Sequence, residues 1–561
     1  MLIKFFKLVL ILLFYQSPLY SKSKTLNDFN SHYLSNYFSG IVAYENNDNS
    51  QALKFFKSSK YLIKQHNSYL KNYIYALVHE GEVQQATREI KQNLTEENSD
   101  FFEAHLLLAL DHIKRKNYKK SREHLQRSYE FINNDRFSQI ISETLKQYLY
   151  VFEENKISNI KNKFGNFSFI NEVFQRCYLN DKNTKTYFNN LINSQNDSDY
   201  SRYTFFYLNY LIENGEHEEA KYISNNLDYL NSSLLISQGK KCIEDQRPEE
   251  FKKIFSCNNI TDVVGEFFFL VSNLYSSEDN FEKSNFYLNI SHYLNPKFKF
   301  NLSLLAENHY LNKDYIKTLE VLKNFDKENE VYYWFKLKKE AQIISKQKSE
   351  EASVDFINSK FKKIKNPSLK IVFDIGNVNK NAKKYKEAIE YYDQIISKID
   401  INSQLYAEIL YRRGSSYERL GDYLNSDKDL LKSLEVNPDD VYVLNYLAYS
   451  WLEREYKIDI SLRMLEKAYV KQRNDPYIID SIGWAYYLIN DYVKAENFLK
   501  RAVKLMPEDP IVNDHYGDIL WKLGRKIQAR YFWKNVLNLK ETENEMKKNI
   551  KNKLIQGLPN S

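Results

Sequence analysis

The chain has 561 residues, 43% of them hydrophobic, with 80 Lys and Arg against 73 Asp and Glu and a net charge of +7. A chain this apolar is not disordered, and so small a surplus of charge is no nucleic-acid footprint. With only 13 Gly and 9 Pro to interrupt long periodic stretches, nearly all of it should be helix, its core built largely from 46 Tyr and 35 Phe.

The first residues, MLIKFFKLVLILLFYQSPLYSKS, carry Lys4 and Lys7 and then no charge from Leu8 to Ser21. A spanning helix needs about 20 apolar residues, and this run is shorter. A basic start, a short apolar region and small polar residues at Ser21 and Ser23 read as a secretory signal peptide over 1–23. The rival reading is an uncleaved anchor, which would hold the protein at the periplasmic side of a membrane. The excess of Lys, Asn, Ile, Tyr and Phe fits an AT-rich bacterial genome.

Beyond residue 24 small residues recur at a near-constant interval. Ala52, Ala86 and Ser121 open the series, and Ala220 fits it. Ser284, Thr318, Ala352, Ala388, Ser426, Ser461, Ala495 and Ala529 continue it with steps close to 34 residues. Only a small residue lets two helix backbones cross closely. An aromatic residue precedes it by three at Tyr118, Phe281, Tyr315, Tyr385, Tyr423 and Tyr492, where it is expected to plug the space between helices. Pro296, Pro438 and Pro507 should end the second helix of their repeats.

A fixed 34-residue period of helix, turn and helix is the mark of tetratricopeptide (TPR) repeats. The expected fold is all-α: a right-handed α-solenoid of about 12 to 14 stacked repeats with a C-terminal capping helix. An N-terminal array is expected over 24–152 and degenerate helical repeats with a hinge over 153–265. A C-terminal array over 266–540 and a capping helix and tail over 541–561 complete the chain. A further helix pair is expected around Phe174–Ile192. Cysteines stand at 177, 242 and 257. Two readings stand for them: an exported chain could pair Cys242 with Cys257, or all three are small buried packing residues.

Residues Leu405–Leu539, with VLNYLAYSW, DPYIIDSIGWAYYL, LKRAVKLMPEDP and VNDHYGDILWKLG, resemble exported TPR-array proteins of the alphaproteobacterial cell envelope. The resemblance implies a non-catalytic scaffold without cofactor or metal. It would bind one or more proteins in a concave groove, and association with a membrane or with itself stays open. The resemblance also implies that residues 2, 5, 9, 12 and 13 of each first helix line that groove. With Gly414, Ala448, Gly483 and Gly517 as residue 8, the groove ladder includes Tyr411, Tyr442, Asn445, Tyr449, Asp480, Trp484, Tyr487, Asp514, Asp518 and Trp521. Its acids disfavour an anionic terminus and suit a basic or amide-rich segment, while its aromatic residues suit binding hot spots. The competing reading is structural: Asp480 and Asp514 favour the positive helix start, and the tryptophans pack between repeats.

Motifs for catalysis do not assemble. Neither His79-Glu80 nor His217-Glu218 is followed by a second His at zinc-binding spacing, and neither a phosphate-binding glycine loop nor a serine nucleophile elbow occurs. A cell-wall glycan-binding module and an enzyme with an unrecognised site in Phe174–Asp262 are the remaining alternatives.

Overall fold

The computed structural model describes residues 31–94, 101–132, 135–158, 164–194, 200–227, 230–245 and 247–558. The signal-peptide expectation for 1–23 lies outside them, as do residues 159–163 of the expected hinge. Among the described residues no helix is long and apolar enough to cross a membrane.

Local chemistry sets where each helix begins and turns. Asp and Asn side chains cap the second helices: Asp48 accepts from the Gln51 amide, Asn117 from Lys120, Asp314 from Lys317, Asp422 from Asn425 and Asp491 from Lys494. Five residues before most crossing residues, one residue adopts positive φ: Asn47, Gly81, Lys116, Gly215, Asp279, Lys313, Lys383, Gly421, Asn490 and Gly524. That single left-handed residue reverses the chain, so the second helix lies back along the first. The Ala352 repeat lacks it, and Ala352 is only half-buried.

The described residues form fourteen helix hairpins, with Arg136–Glu154 and Asn544–Gln556 standing unpaired. The expected pair in the irregular middle is Asn166–Tyr178 with Thr184–Ile192. Apart from Ala352, every crossing residue predicted from the period is buried. Their partner is the residue twelve positions earlier. A Cβ built on Gly40 would meet Phe56, on Gly376 Tyr392, on Gly414 Leu430, on Gly483 Leu499 and on Gly517 Trp533. Two of the crossing serines donate across the same interval, Ser121 to the Ala109 carbonyl at 2.9 Å and Ser284 to that of Ser272 at 2.8 Å, whereas the buried hydroxyls of Ser426 and Ser461 find no partner among the described residues.

One expectation is corrected. The aromatic residues three before the crossing do not plug the hairpins. Tyr118, Phe281, Tyr315, Tyr385, Tyr423 and Tyr492 each start a second helix and keep part of their surface in solvent. The plug lies four residues after the crossing, one helical turn further along the buried stripe. Phe56, Ile90, Leu125, Leu288, Leu322, Tyr392, Leu430, Leu465, Leu499 and Trp533 fill it. Burying each contributes about 1.5–3 kcal/mol.

The chain divides into two compact units, 1–227 with 232–333 and 228–231 with 334–561. The chain passes from one unit to the other between Tyr333 and Trp334, inside the helix Glu330–Gln347, while the short piece 228–231 belongs with the second unit. The first unit departs from a purely nearest-neighbour stack. Tyr75 packs on Phe286 with ring centroids 5.1 Å apart, Phe137 on Tyr275 at 4.6 Å, and Lys317 pairs with Glu80 at 3.0 Å. Its cysteines also correct an expectation. Cys257 is bonded to Cys177, 80 residues away, with Cα atoms 5.6 Å apart. Cys242 is free, its thiol pushed up to about 11, chiefly by burial.

In the second unit the hairpins from Leu369 onward follow one another in sequence. Its last hairpin is closed by Asn544–Gln556, whose Ile550 is fully buried while Met546 and Leu554 pack against the same core. Pro438 and Pro507 follow helices ending at Val436 and Leu505, as Pro296 follows Leu294 in the first unit.

Candidate functional site

Four hairpins of the second unit begin with Gln404–Arg419, Val441–Glu453, Pro476–Leu488 and Pro510–Lys522, and these helices carry the predicted ladder. Two of them open with Asp-Pro. Asp475 accepts from the amides of Tyr477 and Ile478, and Asp509 from those of Ile511 and Val512. These residues do the capping. Asp480 and Asp514 lie a turn deeper and are not caps, so the helix-start reading of them is replaced.

The structure gathers Tyr449, Asp480, Trp484 and Tyr487 around His515. Asp480 and His515 are both buried, and His515 Nδ1 donates to Asp480 Oδ2 at 2.9 Å. The imidazole lies flat on Trp484, centroids 4.1 Å apart, and Trp484 lies flat on Tyr487 at 4.6 Å. Tyr449 lies tilted to the imidazole, its centroid 6.3 Å away. Burial alone would drive the imidazolium down. The Asp480 charge and hydrogen bond, with Asp514 and Glu453, overcome it and hold His515 up at about 9.

One repeat further on, Asp514, Asp518 and Trp521 gather around the C-terminal helix. Lys553 Nζ donates to Asp514 Oδ1 at 2.6 Å and to both Asp518 oxygens at 2.8 Å. Trp533 Nε1 donates to Asp518 Oδ1 at 2.9 Å. Burial and the adjacent Asp514 charge push the Asp518 carboxyl up to about 7 against Lys553. Gly557 lies against the Trp521 ring, where a Cβ would overlap it.

Tyr411 stands apart from both clusters, edge-on to Tyr446 at 5.7 Å, and the Tyr446 hydroxyl donates to Glu418 at 2.9 Å. Asn445 is half-buried, and its Oδ1 accepts no hydrogen bond among the described residues. Tyr442 is 58% exposed.

Thus the acids of the ladder are engaged within the chain: His515 neutralises Asp480, and Lys553 offsets one of the two charges of the Asp514–Asp518 pair. At position 2 the face leaves apolar side chains in solvent, while the exposed Arg419 and Glu453 stand at position 13. Tyr477 is 58% exposed and Ile511 45% exposed, and both hold position 2 of their repeats, as Tyr442 does. The register alone finds Tyr477 and Ile511. His515 and Lys553 were not foreseeable as partners, because each pairs with a residue 35 to 39 positions away.

The tetratricopeptide repeat family matches residues 369–397 and 407–440. The TPR repeat-containing protein PA4667 of Pseudomonas aeruginosa is 29% identical over 110 residues, 20% of this chain and 18% of that protein. Anaphase-promoting complex subunit 3 of Schizosaccharomyces pombe is 22% identical over 120 residues, 21% of this chain and 16% of that one. The chain therefore spans less than a fifth of either curated relative. Among solved structures, TTC0263, a thermophilic TPR protein of Thermus thermophilus, aligns with 34% of this chain and 100% of its own at 16% identity, with a TM-score of 0.30. The matched family and the hairpin register together show that the chain carries tetratricopeptide repeats.

Proposed function

We propose that this repeat protein is a scaffold of the bacterial cell envelope that holds an extended or helical segment of a partner protein along the first-helix face of residues 404–522. Repeats of this kind are protein-interaction modules. The observation that carries the finer reading is the exposed ladder Tyr442, Tyr477 and Ile511, one residue per repeat, beside the half-buried Tyr449, Trp484 and Tyr487. Aromatic side chains that are partly buried at rest lose little entropy on contact and serve as anchors. Because the ladder's acids are already paired, apolar contact supplies the affinity, and the partner segment needs no basic run. The Cys177–Cys257 bond favours an oxidising compartment and so supports export.

A photoreactive residue at position 477, activated in cells, tests the reading. Adducts should concentrate on one envelope protein and disappear when Tyr442 and Ile511 are both changed to Ala. Those two exposed substitutions should each leave stability within about 0.5 kcal/mol of the parent. Adducts to this chain alone, or a spread of unrelated proteins, would overturn the proposal. Cell fractionation of the same sample decides the compartment.

A further inference from the structure

The first unit contains a polar cleft of about 600 Å³ that the groove reading does not use. One wall is the N-terminal array: Lys57 from Asn49–Ser58, Gln84 and Arg88 from Val83–Asn93, and Lys114 at the end of Phe102–Lys114. The other wall is the helix Phe281–Leu294, with Asn289 and Tyr293. Two hundred residues of chain separate the walls, yet the junction beneath them is fixed. Asn289 Nδ2 donates to the His79 carbonyl at 3.1 Å, and Phe286 packs on both Tyr75 and His79. A cleft held open by non-adjacent elements is preformed and lies within the size range of small-molecule sites.

Its charge is lopsided. Three cations line it against one acid, Glu82, which is engaged by Lys57 at 3.2 Å. Arg88 is exposed and has no carboxylate partner among the described residues. Lys114 has none either: its Nζ lies 4.1 Å from the Tyr293 ring centroid and donates weakly to the Tyr293 carbonyl at 3.4 Å. Nearby acids outside the cleft are already spoken for, Asp111 by Lys91 and Arg115, and Glu89 by Lys60. His292 on the same helix is kept neutral by burial. Beyond the cations, Gln84, Gln85 and Asn289 supply neutral hydrogen-bonding groups.

We infer that this cleft binds a small organic polyanion bearing two or more carboxylate or phosphate groups, held by Arg88 and Lys114. A guanidinium offers two parallel donors that fit either group, and Lys114, on the same wall, adds a point charge. The site is independent of the partner groove and lies in the other unit.

Titration calorimetry of the full chain with citrate and, separately, with pyrophosphate tests it. At low salt at least one probe should bind with Kd below about 1 mM, the affinity weakening as salt rises. Citrate binding alone would mark a carboxylate ligand, and pyrophosphate alone a phosphate one. Arg88→Gln should weaken binding about tenfold or more, the loss expected for one charge-assisted contact, and Lys114→Met should weaken it too. Both residues are exposed, so the helical circular-dichroism spectrum and melting should be unchanged in either variant. Binding of neither probe, or binding indifferent to both substitutions, would overturn the assignment.

Discussion

His515 is charged inside the second unit because Asp480 sits against it, and that pair ties the stability of the unit to pH. Its folded value of about 9 lies above the unfolded value of about 6.5. Its contribution is therefore complete below pH 6.5 and is lost as pH rises through about 9. Asp518, raised to about 7, acts in the same direction up to that pH. Lys380, lowered to about 8 chiefly by burial, works the other way above pH 8, so the clean window is 6.5 to 8. Across it the unit should lose about 1–2 kcal/mol. Hydrogen exchange of the peptide 510–522, corrected for its intrinsic pH dependence, should show falling protection in the parent. His515→Gln should lose most of that slope; a slope that persists in full would remove the imidazolium from the account. The positions of Asp480 and Asp514 within the ladder were legible, since the 34-residue register places both on helix position 5. Their roles were not, because a carboxylate reads identically whether it faces a ligand or a histidine in the next repeat.

At the scale of the element, a hairpin is a small residue crossing a helix twelve residues before it, with a plug one turn further on. The tightest example is Gly517, where a Cβ would lie 2.5 Å from the Trp533 ring. Gly517→Ala must push that indole aside and strain its hydrogen bond to Asp518. Overpacking of this kind costs about 1–3 kcal/mol. Adding Trp533→Leu should relieve the clash, so the double variant should be less destabilised than the sum of the singles, as read from thermal melts. Additive losses would mean the ring is not what limits the crossing. The crossing residues could be found in the sequence because their identity is restricted. The plug could not, since Ile, Leu, Phe, Tyr and Trp all serve, and a regular aromatic three residues upstream drew attention to helix starts instead.

At the scale of the molecule, periodicity reveals contacts between neighbouring repeats and is silent about any others. The second unit is accordingly close to its sequence reading, capping helix included. The first is not, because Phe286 meets Tyr75 and Cys257 meets Cys177 across intervals that carry no period. The disulfide closes a long loop and on loop entropy contributes about 4 kcal/mol. Thiol titration of the unfolded, unreduced protein should find one free thiol, Cys242; three would mean the bond is absent. The stronger consequence concerns cooperativity. In a nearest-neighbour stack, damage spreads only to adjoining repeats. Phe286 is buried, and Phe286→Ala should cost about 3–5 kcal/mol. Because its ring rests on Tyr75 and His79, protection from hydrogen exchange should fall in Asn67–His79 as well as in Phe281–Leu294. Leu499→Ala in the second unit supplies the contrast, since its contacts are with Gly483 and the adjoining helices. There the loss should fade within one repeat on either side. If Asn67–His79 keeps its protection when Phe286 is truncated, the first unit is a simple stack after all, and the junction that holds the polyanion cleft open is not rigid.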